Sequence, residues 1–107
     1  VREKLIRDGI PKLAADAGDP ITVRTATPAE LPALLRAKLT EETAEAIDAG
    51  EDGLLGELAD VLEVVHVIAA LHGHTPADLE QARVDKAGAR GRFEQGLVMQ
   101  LPDGEGR

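Results

Sequence analysis

The sequence holds no cysteine, tryptophan or tyrosine, and its one aromatic residue is Phe93. Without cysteine there is no disulfide, no thiol nucleophile and no thiolate metal site, so a metal ion in this chain is held by oxygen or imidazole. The scarcity of aromatics, beside abundant Leu, Ala and Val, favours packed helices over a β-sandwich. No apolar run reaches the roughly 18 residues that a membrane-spanning helix needs. The first residues show neither the apolar core nor the cleavage pattern of a secretory signal, so a cytoplasmic protein with no membrane partner is expected. Positive charge is short as well: 12 Lys and Arg against 20 Asp and Glu leave a formal net charge of −8 and a pI near 4.8. A nucleic-acid polymer is thereby excluded as the expected partner, because phosphate neutralisation needs a basic face. A small phosphorylated ligand is compatible, since a bound divalent ion inverts the local field.

At 107 residues the chain makes one domain, spanning 1–107, with little margin of surface to volume. A small core of this kind gains from oligomerisation, and more than one subunit is expected.

What the chain does have is acid where a helical pattern asks for apolar side chains. At 100° per residue, Leu31, Leu34, Leu35, Leu39 and Ala46 share one stripe, and Glu42 and Glu45 fall inside it. A second pair, Glu57 and Asp60, leads into a line of Val64, Val67 and Leu71. Several inward carboxylates repel one another and are costly to bury without compensating cations or hydrogen bonds. Positions three or four apart lie on one helix face, so each pair can present its oxygens to one point. Glu42, Glu45, Glu57 and Asp60 are accordingly the candidate ligands of a divalent cation. Hard oxygen donors suit Mg²⁺ first, with Mn²⁺ as the alternative, rather than zinc or copper. The competing explanation is a pair of solvated acidic faces, salt-bridged to Lys38 or to arginines.

Along the chain, Leu5, Ile6, Ile10, Leu13 and Ala14 have loosely helical spacing interrupted by Gly9 and Pro11, which predicts a short broken helix in an N-terminal arm over 1–27. Residues 21–25 alternate with β-branched side chains like a short extended segment. Thr27-Pro28-Ala29-Glu30 matches a capping box and predicts a helix over 28–49. Gly50-Glu51-Asp52-Gly53 predicts a glycine stop and a tight reversal, so that the next helix, 54–71, returns antiparallel and brings the acidic pairs together. That helix is apolar on most of its circumference, with Glu63 and His66 forming a narrow polar edge, and therefore needs more than one neighbour. Thr75-Pro76-Ala77-Asp78 repeats the capping pattern and opens a third helix, to about Gly88. Residues 97–101 are a second short extended candidate, and 102–107 a loose tail. The expected fold class is thus all-α, an antiparallel helical bundle completed by oligomerisation.

On the third helix Arg83, Lys86 and Arg90 share a face, with Arg92 and Phe93 following. They form either a phosphate clamp or a surface stripe paired with the chain's many acids. His66, His72 and His74 do not converge at helical spacing and make a poor zinc set.

Lys38-Leu-Thr-Glu41-Glu42-Thr-Ala-Glu45, followed by Glu57-Leu-Ala-Asp60-Val, resembles the EExxE…ExxD signature of MazG-like all-α nucleoside triphosphate pyrophosphatases. Lys4-Leu-Ile-Arg7-Asp8-Gly-Ile-Pro11 resembles the opening of a phosphoribosyl-ATP-pyrophosphohydrolase-like branch, and Arg90-Gly-Arg-Phe93-Glu-Gln-Gly96 its closing segment. The resemblance implies a helical bundle in a homodimer or homotetramer, and Mg²⁺ on Glu42, Glu45, Glu57 and Asp60. It also implies cleavage of an NTP or dNTP to monophosphate and pyrophosphate, in nucleotide-pool house-cleaning. Glu41 and Glu42 would be the catalytic carboxylates, Glu41 by positioning water. Lys86 and Arg90, then Lys38, would hold phosphates, and Phe93 is the one aromatic able to meet a base. Two alternatives stand beside this one: phosphoribosyl-ATP hydrolysis, and a non-catalytic helical dimerisation module.

Overall fold

A computed structural model describes residues 2–103 as four α-helices: α1 (Ile10–Asp16), α2 (Leu31–Asp48), α3 (Glu51–Leu71) and α4 (Pro76–Arg90). No strand occurs among the described residues, in agreement with the expected all-α class. Residues 21–25 and 97–101, expected to be extended, are irregular and pair with no neighbouring backbone; β-branched composition does not make a strand without a partner to complete its hydrogen bonds. Pro102 and Asp103 of the expected tail are exposed, and 104–107 lie outside the described residues. Among the described residues no helix is long and apolar enough to cross a membrane.

The helix boundaries follow local chemistry. Pro11 sits in the first turn of α1, where its missing N–H costs nothing, so the helix begins around the proline, at Ile10, instead of being broken by it, and residues 2–7 stay irregular. The hydrogen bonds of the box at Thr27–Glu30 form, the Thr27 N–H donating to Glu30 Oε2 at 3.0 Å and the Glu30 N–H to Thr27 Oγ1 at 3.3 Å. The helix start expected at 28 does not follow: the box closes a turn over 28–30, and α2 begins at Leu31 with Glu30 at its N-cap. The box at Thr75 and Asp78 does cap its helix, α4. At the end of α3, Gly73 takes φ +84° and its N–H reaches Ala70 O, while the His74 N–H reaches Ala69 O. That paired Schellman closure requires a left-handed residue, which glycine supplies without steric cost.

The reversal between α2 and α3 is tighter than expected. Ala49 and Gly50 are both extended, and Glu51 to Gly53, expected in the turn, already belong to α3. Glu51 and Asp52 are favoured there because carboxylates in a first turn complement the positive end of the helix dipole. With so short a link, α2 and α3 lie side by side and antiparallel. Glu42 stands six residues before the end of α2 and Glu57 six after the start of α3, so both lie about 9 Å from the reversal and meet across the pair.

Burial within one chain is thin. Leu35 and Val64 are the buried apolar side chains, whereas Leu55, Leu58 and Leu62 are about half or more exposed, and Ile47 is 77% exposed. Val67 and Leu71, expected to face inward behind Val64, are each 40% exposed. The radius of gyration is 17.9 Å, against the roughly 13 Å of a compact domain this size. α4 leans on α3, and α1 meets no other helix among the described residues.

Candidate metal centre

Glu42 is the most buried charged residue described, 7% exposed, and it lies on the α2 face turned to α3 together with Leu35, seven residues earlier. Across the pair, Glu57 and Asp60 are half-buried on the α3 face that carries Val64. One carboxylate oxygen from each of Glu42, Glu57 and Asp60 lies within 4.8 Å of the other two. Glu42 Oε2 and Glu57 Oε2 are buried and hydrogen-bonded to nothing. Buried carboxylate oxygens are normally satisfied, so two orphaned acceptors facing a third carboxylate are what a hard cation with oxygen ligands would complete. The donor set fits Mg²⁺ or Mn²⁺ by this criterion.

Glu45 does not join the three. It is exposed, because three residues beyond Glu42 carry it about 60° round α2, to the rim of the contact with α3. It still feels the cluster: the charge of Glu42 first, then loss of solvent and the charge of Glu57, hold its carboxyl above the ordinary range.

Cations frame the cluster on one side. Lys38 Nζ lies 3.2 Å from Glu42 Oε1 and 3.3 Å from Glu41 Oε2. Burial pulls the Lys38 ammonium down, but the hydrogen bonds to Glu42 and Glu41 outweigh it and the net shift is upward. Lys4 Nζ lies 3.1 Å from Glu41 Oε1. The hydrogen bond from Lys4, opposed by partial burial and reinforced by Lys38, keeps the Glu41 carboxyl below its usual range. Arg7 Nη2 is 2.6 Å from Asp60 Oδ1.

The α4 residues expected to bind substrate are placed differently. Lys86, Arg90 and Phe93 are all exposed, Phe93 completely, and neither Lys86 nor Arg90 pairs with any of the cluster acids. Arg83 is occupied by Glu80 one turn earlier on its own helix. Of the residues singled out from the sequence, then, Glu41, Glu42, Glu57, Asp60 and Lys38 come together, Glu45 stands at their edge, and the α4 group stands apart.

Lys4 and Arg7 were missed as site residues. Their spacing of three was visible, but an irregular segment has no period from which to assign a face. The usable signal was stoichiometric: an inward acid cluster needs several cations, and Lys38 is the one Lys or Arg between Arg36 and the end of α3. Comparison of the chain with protein-family models, with curated proteins and with solved structures returned no match.

Proposed function

We propose that this chain is a Mg²⁺-dependent nucleotide pyrophosphohydrolase, cleaving an NTP or dNTP to monophosphate and pyrophosphate in the manner of the MazG-like enzymes its acidic motifs resemble. The observation that carries the proposal is the meeting of Glu42, Glu57 and Asp60 across the α2–α3 pair, with buried oxygens of Glu42 and Glu57 left without a partner. Those three are the ligands assigned here, with Glu45 as an outer carboxylate. Bound there, the metal ion would neutralise charge developing on the phosphates during attack of water at the α-phosphorus.

The chain's own residues then have distinct tasks. Glu41, kept ionised by Lys4 and Lys38, is an acceptor able to orient a water beside the cluster. Lys38 is the ammonium nearest the carboxylates and the first candidate for a phosphate oxygen. The base meets aliphatic and backbone groups, since Phe93 lies away from the cluster contacts and no other aromatic exists. Self-association of α3 through its exposed leucines belongs to the same proposal, as a homodimer or homotetramer in the cytoplasm.

A nucleotide panel with Mg²⁺, scored for pyrophosphate against orthophosphate, tests it. Pyrophosphate is the expected product; orthophosphate as the sole product would remove attack at the α-phosphorus. Phosphoribosyl-ATP belongs in the panel as the rival substrate. The exposed leucines of α3 by themselves favour the second reading, a non-catalytic dimerisation module, and absence of product from every nucleotide would select it.

A further inference from the structure

Arg7 reaches the acid cluster from outside the helices. It sits in the irregular stretch before α1, its side chain 56% exposed, and one of its nitrogens bonds Asp60. A guanidinium has five N–H donors in a planar fork. Only Nη2 of Arg7 is used among the described residues, so the rest of the fork is left to solvent. The hydrogen bond with Asp60, its charge, and the charges of Glu63 and Glu42 all favour the cation, offset in part by loss of solvent. Arg7 also lines a hollow of about 760 Å³ between the N-terminal stretch and residues 21–26, walled in part by Ile21, Val23 and Leu34. It is therefore a side chain that touches both Asp60 and that open space.

Asp60 is also one of the three converging carboxylates. A divalent cation coordinated by either of its oxygens would sit about 2 Å from that atom, and so within a few ångström of the guanidinium. Two positive groups on one carboxylate repel at that separation, whereas an anion placed between them relieves the repulsion. We propose that Arg7 is a displaceable counter-ion: it neutralises Asp60 while no divalent ion is bound, yields that carboxylate to the ion, and then donates to the phosphate oxygens of the nucleotide beside it. This inference rests on the metal-site assignment above. Arg7 opposes metal binding when the metal comes alone and supports phosphate binding once the metal is present. Linkage makes each coupling reciprocal.

The test is calorimetric titration of Mn²⁺ alone, and then of tripolyphosphate at saturating Mn²⁺, into the wild-type chain, Arg7→Gln, Arg7→Lys and the remote control Arg83→Gln. Arg7→Gln is expected to bind Mn²⁺ about fivefold more tightly, the size of a released exposed ion pair. It should bind tripolyphosphate about tenfold more weakly, the loss of one charge-assisted contact. Arg7→Lys keeps the charge without the fork, so its Mn²⁺ affinity should return toward wild type while tripolyphosphate stays weak. Arg83→Gln should match wild type in both. Mn²⁺ bound by the wild type but no more tightly by Arg7→Gln overturns the counter-ion role, and unchanged tripolyphosphate affinity overturns the phosphate role. A wild type that binds no Mn²⁺ overturns the metal centre itself, and this inference with it.

Discussion

Lys38 and Glu42 stand one turn apart on α2 with 3.2 Å between ammonium and carboxylate, so one oxygen of the most buried acid is neutralised while the other is left without a partner. Glu57, directly across the helix pair, has no cation at all among the described ion pairs. The two glutamates are therefore not equivalent, although the motif treats them alike.

From that asymmetry follows a prediction about sign. With metal chelated, Glu57→Gln removes like-charge repulsion and breaks no ion pair, so it should stabilise the chain by about 1 kcal/mol. Glu42→Gln relieves the same repulsion but takes one partner from Lys38, which retains Glu41. Its effect should be smaller. Added Mg²⁺ should raise the wild type by RT ln(1 + [L]/Kd) and raise both variants less, reversing the order. Thermal melts in EDTA and in Mg²⁺ measure both terms. A Glu57→Gln variant less stable than wild type in EDTA, with an equal Mg²⁺ shift for all three proteins, would reduce the cluster to a structural ion-pair network.

The helices were legible where the sequence carries local signals: the Thr75 box caps α4, the Thr27 box closes the turn that leads into α2, and the α2–α3 reversal brings Glu42 to Glu57 and Asp60. What could not be read was rotation about the helix. A stripe drawn at 100° per residue admitted Glu42 and Glu45 alike, but the contact with α3 is narrow enough to bury only the first. Val67 and Leu71 show the same limit, since an apolar line says that a surface needs covering and leaves open whether the same chain covers it. Lys86, Arg90 and Phe93 belong with these, grouped by sequence at a helix end but exposed in the fold.

Substrate contacts should divide along that line. Lys38→Met should lower kcat/KM on the preferred nucleotide by tenfold or more, on the order of one lost charge-assisted phosphate contact. Lys86→Met, Arg90→Met and Phe93→Ala should each stay within about twofold of wild type, as exposed substitutions away from a site usually do. Steady-state kinetics with pyrophosphate detection decides it. Larger losses from the α4 variants than from Lys38→Met would return substrate binding to α4.

Acid should act on the fold in opposite directions at Glu30 and at Glu45. Arg24 hydrogen-bonds both Glu3 and Glu30, and with help from Thr27 this holds the Glu30 carboxyl at about 2, well below its ordinary 4.5. A depressed folded value means that the stabilisation is fully present above pH 4.5 and is lost as pH falls from there toward 2. Glu45 runs the other way: its raised carboxyl gains stability for the fold as it protonates, because repulsion from Glu42 is relieved. Melting temperature followed from neutral pH into acid should therefore fall more steeply for Glu45→Gln than for wild type, and less steeply for Glu30→Gln. Parallel curves for all three would show that neither group contributes to the acid limb.

The last prediction concerns what covers α3. Leu55, Leu58 and Leu62 recur at helical spacing on a side turned away from Glu57 and Asp60, with exposures of 81%, 49% and 52%. Isolated exposed leucines need no explanation, but three in register on a chain whose buried apolar side chains are Leu35 and Val64 leave the hydrophobic driving force mostly unused. A second copy laid along this face supplies that burial, and a stable contact would need to remove about 1,000 Å² or more in total. The wild type should accordingly be a dimer or tetramer at micromolar concentration by light scattering over a dilution series. Leu58→Lys with Leu62→Lys should shift it to monomer, and helical circular dichroism should fall in step, because most helical stability in a protein comes from packing of an apolar face. A wild-type monomer with full helical signal at the same concentration would show that α2, α4 and the N-terminal segment suffice to hold α3, and would leave its leucines free for another partner.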